Sequence, residues 1–164
     1  MDIPVYFRSL IFTIVVPGTV SGWVPYWLAH SMLDGKIFGK APDFFITNVI
    51  GWILLAIGAA IYLWCAYDFT FIGRGTPAIF DPPKHLVIRG LYNYVRNPMY
   101  IGIVTAIIGQ TFLFGSPAVL FYAAVIGTAF SLFVNFYEEP TLRKKFGEDY
   151  NRYTQKVNRW LPKI

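Results

Sequence analysis

The chain is 164 residues long, 55% hydrophobic and 19% aromatic, with 14% charged residues and a formal net charge of +5. Ordinary soluble domains carry about 25% charged residues, so this composition excludes an ordinary water-soluble domain and points to a bilayer. Cys65 is the single cysteine, which excludes a disulfide framework and a cysteine-based zinc site.

In chain order, the first element is an apolar run with no charged side chain from Ser9 to Leu33, read as a span near 10–28. Arg8 precedes it, as in a secretory signal. A signal has a short apolar core and a small-residue cleavage site. Here Trp23, Tyr26 and Trp27 extend the run and suit an interfacial anchor. Pro17 and Pro25 should kink the helix or end it early, and Gly18 and Gly22 form a small-x-x-x-small pair expected to serve close helix packing. The second span, near 45–67, lies in another charge-free stretch, 44–67.

The segment from Gly73 to Lys84 is rich in glycine and proline. Gly73, Gly75 and Ala78 satisfy a Gly-x-Gly-x-x-Ala spacing, but a dinucleotide-binding motif needs a strand before it and a helix starting within it. Here an apolar helix precedes the segment and Pro77 interrupts it. It reads as an ordered loop on the cytoplasmic surface.

Residues 97–137 carry no charged side chain. At about 1.5 Å per residue against a hydrocarbon core of about 30 Å, that stretch makes roughly two crossings. They are placed near 99–114 and 118–137, with a turn at Gly115-Ser116-Pro117. Gly102 and Ala106 form a second small pair. A hairpin returns to the face it left. Arg96-Asn97-Pro98 at its start and Glu138-Glu139 at its end therefore become neighbours.

Beyond the hairpin, Leu142, Phe146, Tyr150, Tyr153, Val157 and Trp160 recur at helical spacing. They predict an amphipathic C-terminal helix that rests on the interface or lids the hairpin mouth. Gly147 weakens it as one straight helix. The lysines and arginines, Lys36 and Lys40 apart, fall at the N-terminus, between spans two and three, or in the tail. That bias puts both termini in the cytoplasm and gives the basic charge a partner in anionic lipid rather than nucleic acid. His30 and His85 then lie on opposite faces, which argues against a multi-histidine metal cluster.

The expected fold is an all-α integral membrane protein with four transmembrane helices, the last two a hairpin, and an amphipathic interfacial C-terminal helix. It divides into an anchoring pair (1–67), a cytoplasmic loop with a cofactor-binding motif (68–98), the hairpin (99–137) and a Glu-Glu motif with the tail (138–164). Arg96 alone reads as a snorkelling anchor, and Glu138-Glu139 alone as a solvated step paired with Arg143. Their convergence at one surface reads as a site.

Three pieces carry a family resemblance: Lys84-His85-Leu86-Val87-Ile88-Arg89-Gly90-Leu91-Tyr92, then Arg96-Asn97-Pro98-Met99-Tyr100-Ile101-Gly102, then Glu138-Glu139 followed by Leu142 and Phe146-Gly147. In this combination the second half of the chain resembles the isoprenylcysteine carboxyl methyltransferases and their relatives, the phospholipid N-methyltransferases. The resemblance implies a membrane-embedded methyltransferase that uses S-adenosylmethionine without a Rossmann domain and acts on a lipophilic acceptor entering from the bilayer. It implies a cofactor shell of His85, Leu86, Val87, Gly90, Tyr92, Arg96, Asn97, Pro98, Tyr100, Glu138 and Glu139, with Arg96, Glu138 and Glu139 as catalytic residues and no metal. Asn97 stands where the family pattern has histidine, and asparagine cannot act as a base near neutral pH.

A guanidinium suits the cofactor's carboxylate, a glutamate its ammonium or ribose diol, and tyrosine faces its sulfonium. Two other readings compete: a sterol-reductase-like oxidoreductase, generally longer, and a non-enzymatic four-span lipid-binding or scaffold protein. The acceptor, whether isoprenylcysteine carboxylate, phospholipid amine or thiol, stays open, and the short format leans towards a prokaryotic cell membrane.

Overall fold

The computed structural model describes residues 4–31, 45–74, 76 and 84–163. Lys36, Lys40 and most of the 73–84 loop lie outside the described residues. Its ends meet, since the Lys84 N–H donates to the Gly73 carbonyl at 2.8 Å.

The described residues are helical, with no strand among them. We number α1 (Val5–Gly18), α2 (Val24–His30), α3 (Phe45–Tyr67), α4 (Pro98–Phe114), α5 (Pro117–Phe133) and α6 (Glu139–Lys156). Wide π-helical turns at Thr19–Trp23, Asp68–Ile72 and Val134–Glu138 extend α1 into α2, lengthen α3, and join α5 to α6. The outcome is three helices long and apolar enough to cross a membrane, Val5–His30, Phe45–Ile72 and Pro117–Lys156, with the shorter apolar α4 between the second and third. Large apolar side chains face outward, Phe121 at 72% exposure and Trp52 at 63%, a surface suited to lipid rather than water.

Of the two outcomes expected for Pro17 and Pro25, a kink or an early end, the early end does not occur: the helix runs on to His30. Pro25 has no N–H to give the carbonyl four residues back, and its ring crowds that carbonyl. The π turn just before it widens the helix and relieves the crowding. The freed Ser21 carbonyl accepts from Gln110 Nε2 at 2.5 Å, and the Val20 carbonyl accepts from the Tyr122 hydroxyl at 3.0 Å. Pro140 stands in the same relation to the turn Val134–Glu138.

The α3–α4 pair is the closest contact of the fold. A Cβ on Gly58 would lie 2.5 Å from the Gly102 carbonyl oxygen, and one on Gly109 would lie 2.8 Å from that of Gly51. Backbone meets backbone at four glycines, the device by which apolar helices associate where water supplies no driving force. Gly102 thus packs as the sequence suggested. Gly18 and Gly22 do not: a Cβ on Gly22 would meet nothing within 4 Å.

Gly115, in the left-handed region (φ 58°), ends α4. The Ser116 hydroxyl then accepts from the Val119 N–H at 3.3 Å and starts α5 with Pro117 in its first turn. The hairpin therefore turns where the breaker cluster placed it. The tail departs further from expectation. Its helix runs straight out of α5, breaks at Gly147 (φ 53°, ψ −126°), and ends at Lys156 rather than near Trp160. Beyond it the chain turns extended, and Asn158 pairs in parallel with Val95.

Candidate functional site

The hairpin delivers its two ends to one place. Arg96 Nη2 lies 3.1 Å from Glu139 Oε1, with side chains 11% and 8% exposed. Arg96 is therefore not a snorkelling anchor, and Glu139 is not a solvated step. Arg143, the partner expected for the Glu pair, instead donates to Asn151 Oδ1 at 2.9 Å and lies over the Tyr150 ring.

The wide turn Val134–Glu138 ends on Glu138, and α6 begins on Glu139. Glu138 Oε2 accepts from the Tyr100 hydroxyl at 2.8 Å. Burial pushes the Glu138 carboxyl above the ordinary carboxylate range; the Tyr100 hydrogen bond opposes that rise and the charge on Glu139 adds to it. Glu139 is held by two guanidinium groups. Besides Arg96, Arg159 grips it with both arms, Nε to Oε1 at 2.8 Å and Nη2 to Oε2 at 3.0 Å, which raises the Arg159 pKa.

The tail is tied alongside the segment that carries Arg96 and Asn97. The Arg96 N–H donates to the Asn158 carbonyl at 2.9 Å, and Asn97 Nδ2 donates to the Arg159 carbonyl at 3.2 Å. Behind them Tyr150, Tyr153 and Val157 are buried with Leu86, Leu142 and Phe146 around them. The Tyr153 hydroxyl donates to the Tyr92 carbonyl at 2.7 Å. Burial raises the Tyr92 hydroxyl well above its usual pKa and pushes Tyr150 up to about 12, with Glu139 adding and Arg96 opposing. Neither phenol ionises near neutral pH.

These groups surround a cleft. Of the residues singled out from sequence, Leu86, Val87, Tyr92, Arg96, Asn97, Tyr100, Glu138 and Glu139 line it. Pro98 is buried at the first position of α4 and does not line it. Gly90, at φ 55°, sits where a Cβ would lie 3.0 Å from both Asp68 Oδ2 and Trp64 Nε1, so it seats the motif segment 84–97 on the end of α3 rather than facing the cleft. His85 is exposed on a neighbouring open groove with Lys84, Asp149, Arg152 and Lys156.

Sequence reasoning missed Phe69, Thr76, Met99, Phe133, Tyr137 and Thr141 on the cleft wall, and Arg159 behind it. It took Phe146, Tyr150 and Tyr153 as packing. They pack and line the cleft at once. The aromatic wall carries no local pattern that separates it from lipid-facing neighbours, and Arg159 is one basic residue in a basic tail.

The cleft lining combines two carboxylates and a guanidinium with the apolar side chains Met99, Phe133, Tyr137 and Leu142. Among the described residues the buried Arg96 Nε has no hydrogen-bond partner, a donor left open in a site where unpaired donors are costly. Such a cleft can hold a molecule that is charged at one end and present it to an apolar partner. Among the described residues no cluster of His, Cys, Asp or Glu could hold a metal ion.

Comparison with known proteins agrees with this chemistry. The family described as phospholipid methyltransferase matches residues 46–149. A probable protein-S-isoprenylcysteine O-methyltransferase from Oryza sativa subsp. indica is 25% identical over 142 residues, covering 84% of this chain and 72% of that one. A protein-S-isoprenylcysteine O-methyltransferase from Schizosaccharomyces pombe is 35% identical over 80 residues, 48% of this chain and 34% of its own length. The matched region holds the motif segment 84–97, the hairpin and the Glu pair, and the chain belongs to the phospholipid methyltransferase family and is a methyltransferase.

Proposed function

We propose that the cleft binds S-adenosylmethionine and that the protein methylates a lipophilic acceptor, an isoprenylcysteine carboxylate or a phospholipid amine, which enters from the bilayer. The observation that carries the reading is Arg96 Nε, buried and without a partner among the described residues, on a side chain that lines the cleft together with Glu138. A carboxylate ligand satisfies that donor, and Glu138 offers an acceptor to an ammonium or a hydroxyl within the same cleft. The donor set fits an amino-acid moiety, and the apolar side chains fit a ring system and an acyl or prenyl chain.

When bound, S-adenosylmethionine supplies a methyl group already activated on a sulfonium. The residues of this chain then have positioning as their main task. Leu86, Val87, Tyr92 and Asn97 frame the cleft, while Gly90 and Pro98 shape its backbone from behind and His85 stands at its outer edge. Tyr100 holds Glu138 in place. Phe133, Tyr137, Tyr150 and Tyr153 also line the cleft; in this reading the first two meet an acceptor arriving between α4 and α5, and the last two exclude water. A carboxylate acceptor needs no base. With an amine acceptor, Glu138 is the group able to take the proton, since its raised pKa suits that role. We place both termini and this cleft on the cytoplasmic side of a four-span protein, as the lysine and arginine bias favours.

The test is calorimetric titration of S-adenosylhomocysteine into detergent-purified protein, with Arg96→Ala alongside. Micromolar binding that the substitution abolishes, with folding intact, supports the reading. A folded wild type that binds nothing ends it. Transfer of labelled methyl to a farnesylated cysteine or to phosphatidylethanolamine then identifies the acceptor.

A further inference from the structure

Glu139 is already fully engaged. Its two oxygens take three contacts from guanidinium nitrogens, two of them from Arg159. Arg159 keeps 32% exposure while Glu139 is almost fully buried, so the pair reaches from the surface inward like a bolt. The Asn158 and Arg159 carbonyls are fixed independently by the Arg96 backbone N–H and by Asn97 Nδ2. Arg159 therefore sits in register with Arg96 by main-chain ties as well as by charge.

The consequence falls on Arg96. Its Nη2 is turned to Glu139, and its Nε remains buried without a partner among the described residues, on a side chain that lines the cleft. A carboxylate free to rotate would take Arg96 in a fork, two parallel N–H bonds, and consume Nε. With its oxygens occupied by the Arg159 fork, Glu139 is left to touch Arg96 at one end. We propose that Arg159 is a positioning residue for the methyl-donor site, clamping Glu139 as the fixed counter-charge of Arg96 so that Arg96 Nε stays presented to the donor's carboxylate. Glu139 is then a positioning residue too, and Glu138 alone of the pair is open to ligand.

This inference rests on the proposed cofactor site, and the experiment separates the two. S-adenosylhomocysteine carries the amino-acid carboxylate; 5′-methylthioadenosine keeps the nucleoside and lacks it. Binding of both is measured by calorimetry on full-length wild type, Arg159→Gln, Arg159→Lys and Arg96→Lys, and on the double variant Arg96→Lys/Arg159→Gln. Arg159→Gln should weaken S-adenosylhomocysteine by about 10- to 100-fold, the worth of a hydrogen bond to a charged group, and leave methylthioadenosine unchanged. Arg159→Lys, which keeps the charge and loses the fork, should recover part of the affinity. The double variant should be no weaker than Arg96→Lys alone, because Arg159 acts through Arg96.

Equal loss of both ligands in Arg159→Gln, additive losses in the double variant, or wild-type affinity in Arg159→Gln each overturn the clamp and leave the cofactor site standing. A wild type that binds neither ligand overturns both. If Arg159→Gln does not fold, Arg159→Lys decides the matter by the same selective loss.

Discussion

Tyr100 and Glu138 are 38 positions apart in the chain and meet through a 2.8 Å hydrogen bond across the hairpin mouth. One belongs to the first turns of α4 and the other closes the wide turn after α5. The bond therefore forms only if both helices return to the same level, and it ties the fold of the hairpin to the chemistry of the site.

The first prediction concerns pH. Glu138 has a raised pKa, chiefly from burial, and the Tyr100 bond holds it down. If the ionised form receives the ligand's ammonium or hydroxyl, S-adenosylhomocysteine affinity falls as pH drops through a value above the ordinary glutamate pKa of about 4.3. Tyr100→Phe removes the opposing influence and moves that fall to higher pH, and Glu138→Gln abolishes the limb. The stability of the ligand-free protein carries the opposite sign. A carboxyl raised in the folded state binds more protons there, so its contribution declines as pH rises from the unfolded value to the folded one. The difference in melting temperature between wild type and Glu138→Gln, followed from pH 8 downward, should therefore narrow as ligand affinity disappears. A pH-independent affinity removes Glu138 from the binding shell.

The second prediction concerns the glycine seam. A Cβ at position 58 would stand 2.5 Å from a backbone oxygen and 2.6 Å from the Ala106 nitrogen. Neither can move without shifting a helix, so Gly58→Ala should destabilise by about 1–3 kcal/mol. Gly22→Ala, where nothing lies within 4 Å, supplies the contrast and should change thermal stability in detergent by no more than the few tenths expected of a surface site. Equal shifts for the two variants would remove the seam as the organising contact.

What the sequence made legible follows from this difference between local and distant causes. Absence of charge over 97–137 and the breaker cluster at 115–117 announce a hairpin because bilayer thickness and turn chemistry act locally. That geometry brought Arg96 to Glu139, a relation recovered from the chain alone. Gly51, Gly58 and Gly109 passed unnoticed because a glycine in an apolar helix signals close approach only when its partner is known. Arg159 was hidden for a like reason: its partner is 20 residues back, across a helix break at Gly147 and a return to extended backbone. The prolines misled in a more physical way. Pro25 does remove a helical hydrogen bond, but Gln110 from another helix takes up the carbonyl it frees, and no local rule contains that compensation.

The Gln110 bond yields a third prediction. Inside an apolar bundle, the Ser21 carbonyl freed by Pro25 has no water to turn to, and Gln110 is buried with it. Gln110→Leu keeps the volume and leaves the carbonyl unanswered. The cost should be about 0.6–1.7 kcal/mol, the range measured for polar contacts between membrane helices. Ligand affinity should be unchanged, because Gln110 lies at the far end of α4 from the cleft. Denaturation in mixed micelles reads the first, and calorimetry the second. A loss of affinity at unchanged stability would show that α4 transmits strain to Tyr100.

The last prediction isolates the bend in the tail. Gly147 has φ 53° and ψ −126°, and a Cβ there would meet nothing within 4 Å. Any effect of Gly147→Ala therefore comes from the backbone alone, in a region that side chains other than glycine's rarely enter, at about 1–3 kcal/mol. A helix relieved of that strain straightens, and straightening carries Tyr153 away from Tyr92 and Arg159 away from Glu139, which they now touch. The variant should lose hydrogen-exchange protection at 150–159 while 98–133 stays protected, and should bind S-adenosylhomocysteine more weakly than wild type. Weakened binding with wild-type protection of the tail would mean that the bend serves the cleft directly. Unchanged binding despite an unprotected tail would mean that the donor site is complete without its cover. The expected result, in which both fall together, makes the glycine the point about which the aromatic cover and the Arg159 clamp are set in place.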